Sequence, residues 1–533
     1  MMKLIKQHWL LLLAIIVGFA LRFYKLENLP VILNRDEAAL AYNAYLLSET
    51  GRDEWGRVWP LALESFGDYK LPGYSWILIP FFKVFGLSDL IVRLPSALAG
   101  TLLILVFYLW LKALKITEKF SLVGAWLIAL LPVSIFYSRM AYEANIALTL
   151  MVTALWLITL LTQKWQVKLV ISLILVLTLA VFTYNTPWLL LPFLLVYLYL
   201  IYPTKPKKRN SEAWWLMASV AVIFIITTRV FISLTGQKSG IAIFTDETIW
   251  SNWIAYRESL HPNWLWLLGN KYVYWLGLMW TRFWQSFSPY FLVIHGDNHA
   301  WHRLPTWGHL TFLVYGFGWL GIILTIKQLW QIGWKKILKF KDLTETTRFN
   351  LANIFLFIAT LGPSVITVDS PHATRSLLFF IFWVMLAVKG MSWLFDQSFW
   401  PSKKIFWLMF SLLIWIETLW HLQQLFIIYP KHQLTFMPGF NDMIQLIEKQ
   451  NPQKTAVAIV DPDGYQYILL AWYLKIPAEE YFATNIRQLP DKIGFRYGQQ
   501  VTNYHFIAKS GDRVPAEKIL LEWRINGWRL TGL

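Results

Sequence analysis

Asn34-Arg35-Asp36-Glu37-Ala38-Ala39 is the stretch on which the reading of this chain turns. It stands about ten residues beyond an apolar run near 8–26 that reads as a membrane span. Two adjacent carboxylates beside lipid are costly, because charged groups lose hydration there, so a pair kept at such a place marks chemistry. The surrounding composition gives the same setting. The 533 residues are 57% hydrophobic and 17% aromatic, with only 15% charged. A soluble chain of this size does not hide that much apolar surface, which makes this a polytopic membrane protein.

Runs of roughly 20 apolar residues, the length that crosses a bilayer, fall near 8–26, 93–112, 120–136, 146–163, 168–184, 187–202, 213–234, 310–327, 350–367, 376–395 and 405–428. The sequence thus predicts about 11 transmembrane helices, up to 13. Tryptophans, 32 in all, gather near the ends of these runs, as an interfacial belt requires. The first run begins like a signal peptide but has no small-x-small cleavage site and continues to Arg22 and Lys25, so it reads as a retained span.

The net charge of +17 would suggest nucleic acid in a soluble protein, but here it follows the loops. Lys3 and Lys6 precede the first run; Lys112, Lys115 and Lys119 follow the second; Lys164 and Lys168 the fourth; Lys205, Lys207, Lys208 and Arg209 the sixth; Lys335, Lys336, Lys339 and Lys341 the eighth; Lys403 and Lys404 the tenth. All lie on one side if the N-terminus is cytoplasmic, so the charge is a topology signal and no nucleic-acid partner is implied. The run 74–85 is too short to span comfortably and is read as a surface helix in a first external loop, 27–92. A second large external loop, 235–309, carries a further amphipathic aromatic run from Tyr272 to Phe291.

After Tyr429 the composition turns mixed. Thr455 to Val460 reads as a strand between helix-like stretches, Asn441 to Gln450 and Gly464 to Leu474, with Asp461-Pro462-Asp463-Gly464 as a turn. The expected organisation is a membrane domain over 1–430 and a small extracytoplasmic α/β domain over 431–533. Zero cysteines exclude thiol catalysis, cysteine-bound metals and disulfides.

With this topology the conspicuous polar residues meet on the outer face. Asp36, Glu37, Asp68 and Lys70 come from the first loop, Arg139 and Glu143 from the second, and Asp369, His372 and Arg375 from a late one. Carboxylates beside cations at the lipid–water boundary suit a lipid-linked phosphate: Arg offers a planar fork to phosphate oxygens, Lys a compact charge. A carboxylate within reach of a hydroxyl serves as general base.

Several motifs carry a resemblance. Leu21-Arg22-Phe23 precedes Asn34-Arg35-Asp36-Glu37-Ala38; then come Lys70-Leu71-Pro72-Gly73-Tyr74-Ser75-Trp76, Phe85-Gly86, Arg93-Leu94-Pro95-Ser96-Ala97-Leu98, and Ser138-Arg139 through Glu143. The ensemble resembles GT-C membrane glycosyltransferases, in particular the protein O-mannosyltransferases and aminoarabinose transferases of glycosyltransferase family 39 and its relatives. It covers about the first 200 residues well and departs at Leu71 and Gly73, where the family usually has Pro and Leu. The resemblance implies a GT-C-like fold and inverting transfer of a monosaccharide from a polyprenyl-phosphate donor to an acceptor hydroxyl of a protein, lipid or cell-wall glycan. It implies Asp36 as catalytic base with Glu37 orienting it, Lys70, Arg375 and Arg139 at the donor phosphate, and Asp68, Glu143 and His372 lining the substrates. It also implies a multi-pass protein of the bacterial inner membrane, with its C-terminal domain outside.

Blander readings stand beside these. Asp36 and Glu37 can open a helix, Lys70 can snorkel to the interface, Arg139 and Glu143 can pair across one helical turn, and His372 with Arg375 can anchor headgroups. His295, Asp297, His299 and His302 resemble a divalent-metal cluster but read better as solvated loop residues; no cofactor is firmly implied. The rival functions are a transporter or flippase of an anionic or lipid-linked solute, and a ligase of lipid-linked glycans. A transporter would place charges at mid-span in repeated halves, and the sequence reads as having neither.

Overall fold

The computed structural model describes residues 2–202, 207–235, 242–338, 343–397, 402–491, 495–509, 512, 519–525 and 527–532. Lys205, Lys339 and Lys341 of the topology signal lie outside these, as do the side chains of Lys3, Lys6, Lys207, Lys208 and Arg209. The chain opens with helix α1 (Met2–Phe23), then α2 (Arg35–Thr50), a hairpin of β1 (Leu63–Ser65) and β2 (Asp68–Lys70), and α3 (Gly73–Phe85). Helices α4 (Asp89–Ala113), α5 (Glu118–Leu130), α6 (Pro132–Ser138), α7 (Glu143–Gln163), α8 (Val167–Thr183), α9 (Asn185–Ile201) and α10 (Lys207–Thr235) follow. Next are α11 (Glu247–Ser259), α12 (Lys271–Gln285), α13 (Phe312–Ile332), α14 (Trp334–Leu338), α15 (Glu345–Ala359), α16 (Gly362–Val365), α17 (Leu377–Phe395) and α18 (Lys403–Gln423).

This is an integral, multi-pass membrane protein, but the span count is lower than the sequence reading. Among the described residues seven helices are long and apolar enough to cross a bilayer, or eight if the bent pair Glu118–Leu130 and Pro132–Ser138 is one span. The remaining predicted spans are the shorter apolar helices His8–Phe23, Val167–Thr183 and Asn185–Ile201. At 1.5 Å per residue Val167–Thr183 and Asn185–Ile201 each reach only about 26 Å, short of the roughly 30 Å hydrocarbon core, whereas α1 as a whole runs Met2–Phe23, 22 residues. Apolar runs overstate span length because they include residues that the folded chain assigns to turns and caps.

The bend between α5 and α6 has a sequence cause and a tertiary remedy. Pro132 has no N–H to give Ile128, and Val133 donates instead to the His309 carbonyl at 3.0 Å, so the carbonyls of Ile128 and Ala129 lose their helical partners. Arg22, at the end of α1, donates to both, at 3.1 and 3.2 Å, and to Ser134 Oγ at 2.7 Å. Arg139, at the end of α6, returns the favour. It donates to the Leu21, Arg22 and Tyr24 carbonyls at 2.9, 3.1 and 2.8 Å, which the end of α1 leaves unpaired. Elsewhere small residues set the packing: a Cβ on Gly321 would stand 1.9 Å from the Leu386 carbonyl and one on Gly390 2.4 Å from that of Phe317, so α13 and α17 touch backbone to backbone.

The C-terminal region contributes α19 (Phe440–Gln450), β3 (Val457–Val460), α20 (Gln466–Tyr473), α21 (Ala478–Thr484), β4 (Ile486–Arg487), β5 (Gly498–Val501), β6 (Tyr504–Ile507), β7 (Ile519–Arg524) and β8 (Gly527–Thr531). They form one mixed sheet in the order β4-β5-β6-β3-β7-β8, with β3 parallel to both neighbours. The predicted strand and both flanking helices are present. This unit packs on the first loop: Tyr42 and Phe66 share an apolar cluster with Tyr467, Leu470 and Tyr481. Arg487 Nη2 reaches Glu54 Oε2 at 2.6 Å, with side-chain exposures of 9% and 0%, and Asp89 accepts from Trp472 Nε1 at 2.8 Å and Tyr473 Oη at 3.1 Å.

Arg22→Met should strand the Ile128 and Ala129 carbonyls, each costing about 1–3 kcal/mol. Thermal unfolding of the detergent-solubilised protein should move to clearly lower temperature, and an unchanged midpoint would show that the bend does not need the guanidinium.

Candidate active site

Asn34 fixes where α2 begins. Its Oδ1 accepts from the N–H groups of Asp36 and Glu37, both at 2.9 Å, and the Glu37 side chain closes the reciprocal bond to the Asn34 N–H at 3.0 Å. This capping box sends Asp36 and Glu37 in different directions. Glu37 is 1% exposed. Its Oε1 accepts from Arg93 Nε at 3.1 Å and from the Ala141 N–H at 2.8 Å, and its Oε2 is 3.4 Å from Arg93 Nη2. Arg93, also sealed, donates to the carbonyls of Leu26, Glu27, Pro30 and Ile32. Glu37 therefore presents no oxygen to a ligand; it fixes the loop that carries its neighbour.

Asp36 remains open, with its side chain 41% exposed, and its Oδ1 lies 3.0 Å from Lys70 Nζ. Lys70 arrives on the β1–β2 hairpin, where Phe66 and Gly67 take φ of 60° and 88°, the left-handed pair of a tight two-residue turn. The register pairs Lys70 with Leu63, and the ammonium lies 5.4 Å from the Phe66 ring. Burial raises the Asp36 carboxyl, but Lys70 and Arg35 outweigh it and hold the pKa at about 2. Arg35 itself is clasped between the rings of Trp301 and Tyr465, at 5.0 and 5.2 Å, joining the first loop to the 235–309 segment and the C-terminal sheet unit.

Next to this pair stands a polar chain from the late loops. Arg375 bonds Asp369, whose other oxygen lies 3.4 Å from His372 Nε2. His372 packs against His302 with ring centroids 4.6 Å apart. Thr374 Oγ1 sits 3.1 Å from both His302 Nδ1 and Tyr137 Oη. Asp297, 1% exposed, accepts from the Ala373 N–H at 3.1 Å and lies 3.3 Å from His309 Nε2. Burial lowers the His302 pKa to about 4, and burial with the neighbouring His302 and Arg375 charges pushes His372 well below its ordinary value, so both imidazoles are neutral at pH 7. Asp36 and Arg375 both act electrostatically on His302.

The structure pairs Asp36 with Lys70, and gathers His372 and Arg375 around Asp369 in a second group. Arg139, 1% exposed, is turned to the end of α1 and away from this group. Glu143 is the first residue of α7 and partly buried. The Asp68 side chain lies outside the described residues. The sequence does not single out Arg93 or Tyr137, and it reads Asp297 and His302 as solvated; Asp297 is sealed and His302 half-buried, and the signal for both is their spacing in a long aromatic loop. Among the described residues no group of three or more His, Cys, Asp or Glu is placed to hold a metal.

Residues 70–231 match the family model described as dolichyl-phosphate-mannose-protein mannosyltransferase. The matched part holds Lys70, Arg139 and Glu143 and leaves out Asp36, Glu37 and Arg375. A search of curated protein sequences finds no match. Among solved structures, the chain is similar to the oligosaccharyltransferase of Archaeoglobus fulgidus tethered with an acceptor peptide, at TM-score 0.55 and 12% identity over 88% of this chain and 64% of that one. It is similar to the same organism's AglB in complex with an inhibitory peptide and a dolichol-phosphate, at TM-score 0.54 and 12% identity over 88% and 64%. ArnT from Cupriavidus metallidurans bound to undecaprenyl phosphate follows at TM-score 0.47 and 13% identity, over 88% and 84%. The chain therefore spans less than two thirds of the archaeal oligosaccharyltransferase. The architecture is that of the GT-C membrane glycosyltransferases. The resemblance carried by the sequence motifs, to the mannosyltransferase and aminoarabinose transferase group, is borne out.

The depressed Asp36 pKa stabilises the fold above the unfolded carboxyl value of about 3.9, a contribution lost as pH falls through about 2. Lys70→Met removes the chief lowering influence, so the Asp36 carboxyl should titrate higher. Difference infrared spectra of Lys70→Met with and without Asp36→Asn, recorded near pH 3, should show a protonated carboxyl absent from the parent. An ionised carboxylate in both would remove Lys70 as the cause.

Proposed function

We propose that this protein is an inverting glycosyltransferase that moves a monosaccharide from a polyprenyl-phosphate donor to an acceptor hydroxyl at the outer face of a bacterial inner membrane. The N-terminus is cytoplasmic and the C-terminal sheet unit lies outside. The observation that carries the reading is the Asp36–Lys70 pair: an open carboxylate and a sealed ammonium 3.0 Å apart. The family model over 70–231 and the lipid phosphate held by AglB, whose fold is similar, support it.

In this mechanism the acceptor oxygen attacks the anomeric carbon as the bond from that carbon to the phosphate oxygen breaks. The electron pair leaves on the lipid phosphate, and the hydroxyl proton passes to Asp36. Phosphate is a good leaving group, so no strong acid is needed; the growing charge is met by Lys70 and Arg375, already in place. Asp36 is a weak base while Lys70 holds it. A donor phosphate that draws the ammonium away leaves burial as the main influence, which strengthens the base only once donor is bound. Glu37 is a positioning residue, acting through the α2 cap and Arg93. His372 and the neutral His302 line the sugar side, with Glu143 and Asp68 as further candidates for the acceptor. Arg139 acts on the scaffold at the end of α1.

Purified protein incubated with a panel of polyprenyl-phosphate sugars should consume one donor, and Asp36→Asn should slow transfer by about 10²–10⁴-fold, the usual worth of a general base. Equal turnover in a folded Asp36→Asn protein would take the base away from Asp36. Movement of labelled lipid across vesicles without any transfer would replace the enzyme reading with transport.

A further inference from the structure

At the other end of the bundle lies a second polar chamber. Helix α4 enters near Asp89 on the Asp36 side and ends at Ala113; α7 runs from Glu143 to Gln163; α15 begins at Glu345. These three ends, with α13 and α17, enclose a cavity of about 500 Å³. Pockets of roughly 300–1,000 Å³ are the usual size for small ligands and headgroups. Lys389 on α17 lines it, together with Gln328, Asn350 and Asn353. Lys389 lies fourteen residues past Arg375, about 21 Å along a helix, so this chamber is separate from the Asp36 group. Lys389 is also a charged residue within a span, which the sequence reading did not count.

The chemistry of the lining is one-sided. Lys389 Nζ donates to Thr325 Oγ1 at 2.9 Å and Gln328 Oε1 at 2.8 Å, both neutral. Glu345, the carboxylate among the described lining residues, lies 3.7 Å from Lys115. Among the described residues no carboxylate pairs with Lys389. Lys389 is half-buried and lies along α13, between buried Thr325 and exposed Gln328. Two amides also give up their acceptors: Gln328 Oε1 to Lys389, and Asn353 Oδ1 to Tyr197 Oη at 3.2 Å. Their NH₂ groups are left as donors beside the ammonium. Lys112, Lys115 and Lys119 belong to this same end of the molecule, and such basic rims concentrate anionic ligands.

We propose that this chamber is a second anion site, for a phosphate-bearing ligand, with Lys389 as its cation and Gln328, Asn350 and Asn353 as hydrogen-bond donors. Phosphate fits better than a carboxylate because several donors surround one point charge in a space far larger than a carboxylate fills.

The test uses the full chain in detergent on a Lys70→Met background, which removes the proposed donor-phosphate contact. Calorimetric titration with dioctanoyl phosphatidic acid and with inorganic phosphate should detect a site in this background. Adding Lys389→Met should weaken it at least tenfold, and Asn350→Trp, which fills the chamber, should do the same if Lys389→Met fails to fold. Binding of the lipid alone would identify a lipid headgroup as the source; equal binding of inorganic phosphate would identify a free phosphate. Absence of any site on the Lys70→Met background, or equal affinity with Lys389→Met and Asn350→Trp, would overturn the proposal. Neither result bears on whether Asp36 catalyses transfer.

Discussion

Glu37 and Arg93 meet with both side chains closed to solvent, and three separate pieces of chain are tied to that contact. Glu37 holds the Asn34 N–H at the start of α2 and the Ala141 N–H from the loop before α7, while Arg93 gathers four carbonyls between Leu26 and Ile32. A buried ion pair adds little net stability, because desolvation offsets most of the attraction. Breaking one side leaves an uncompensated charge, so the pair enforces a single arrangement of the first loop. Asp36 is aimed by that arrangement, one residue away from the contact and free of it.

A similar logic recurs where the chain crosses or leaves the apolar layer. Pro132 frees two carbonyls that lipid cannot satisfy, and Arg22 occupies them; the end of α1 frees others, and Arg139 occupies those. Arg139, a phosphate ligand by family resemblance, and Arg22, read from the sequence as the end of the first span, are thereby committed to backbone. Lys70 and Arg375, by contrast, each touch a carboxylate that a competing anion can replace.

Neutral imidazoles suit this arrangement. His302 and His372 pack on each other beside Asp369 without adding charge, so the local field is set by Lys70, Arg35 and Arg375 against Asp36 and Asp369. The C-terminal sheet unit takes part from above: Tyr465 shares Arg35 with Trp301, and Arg487 seals Glu54. Its packing on the first loop stiffens the segment that carries the acidic pair.

Much was legible in the chain itself. Apolar run length announced the membrane, Asn34 followed by Glu37 announced the helix start, and Thr455 to Val460 announced the central strand, because each depends on local chemistry at short range. The motifs named Asp36 and Lys70 separately; their contact at 3.0 Å comes from the tertiary structure, where a two-residue turn at Phe66-Gly67 carries the lysine back. The rest required the tertiary structure. Which of two adjacent carboxylates stays open, which of four cations caps a helix, and whether His302 and Asp297 are solvated or enclosed all depend on partners 50 to more than 150 residues away. No local pattern encodes such pairings; they arise only when every stranded polar group in an apolar interior has found a partner.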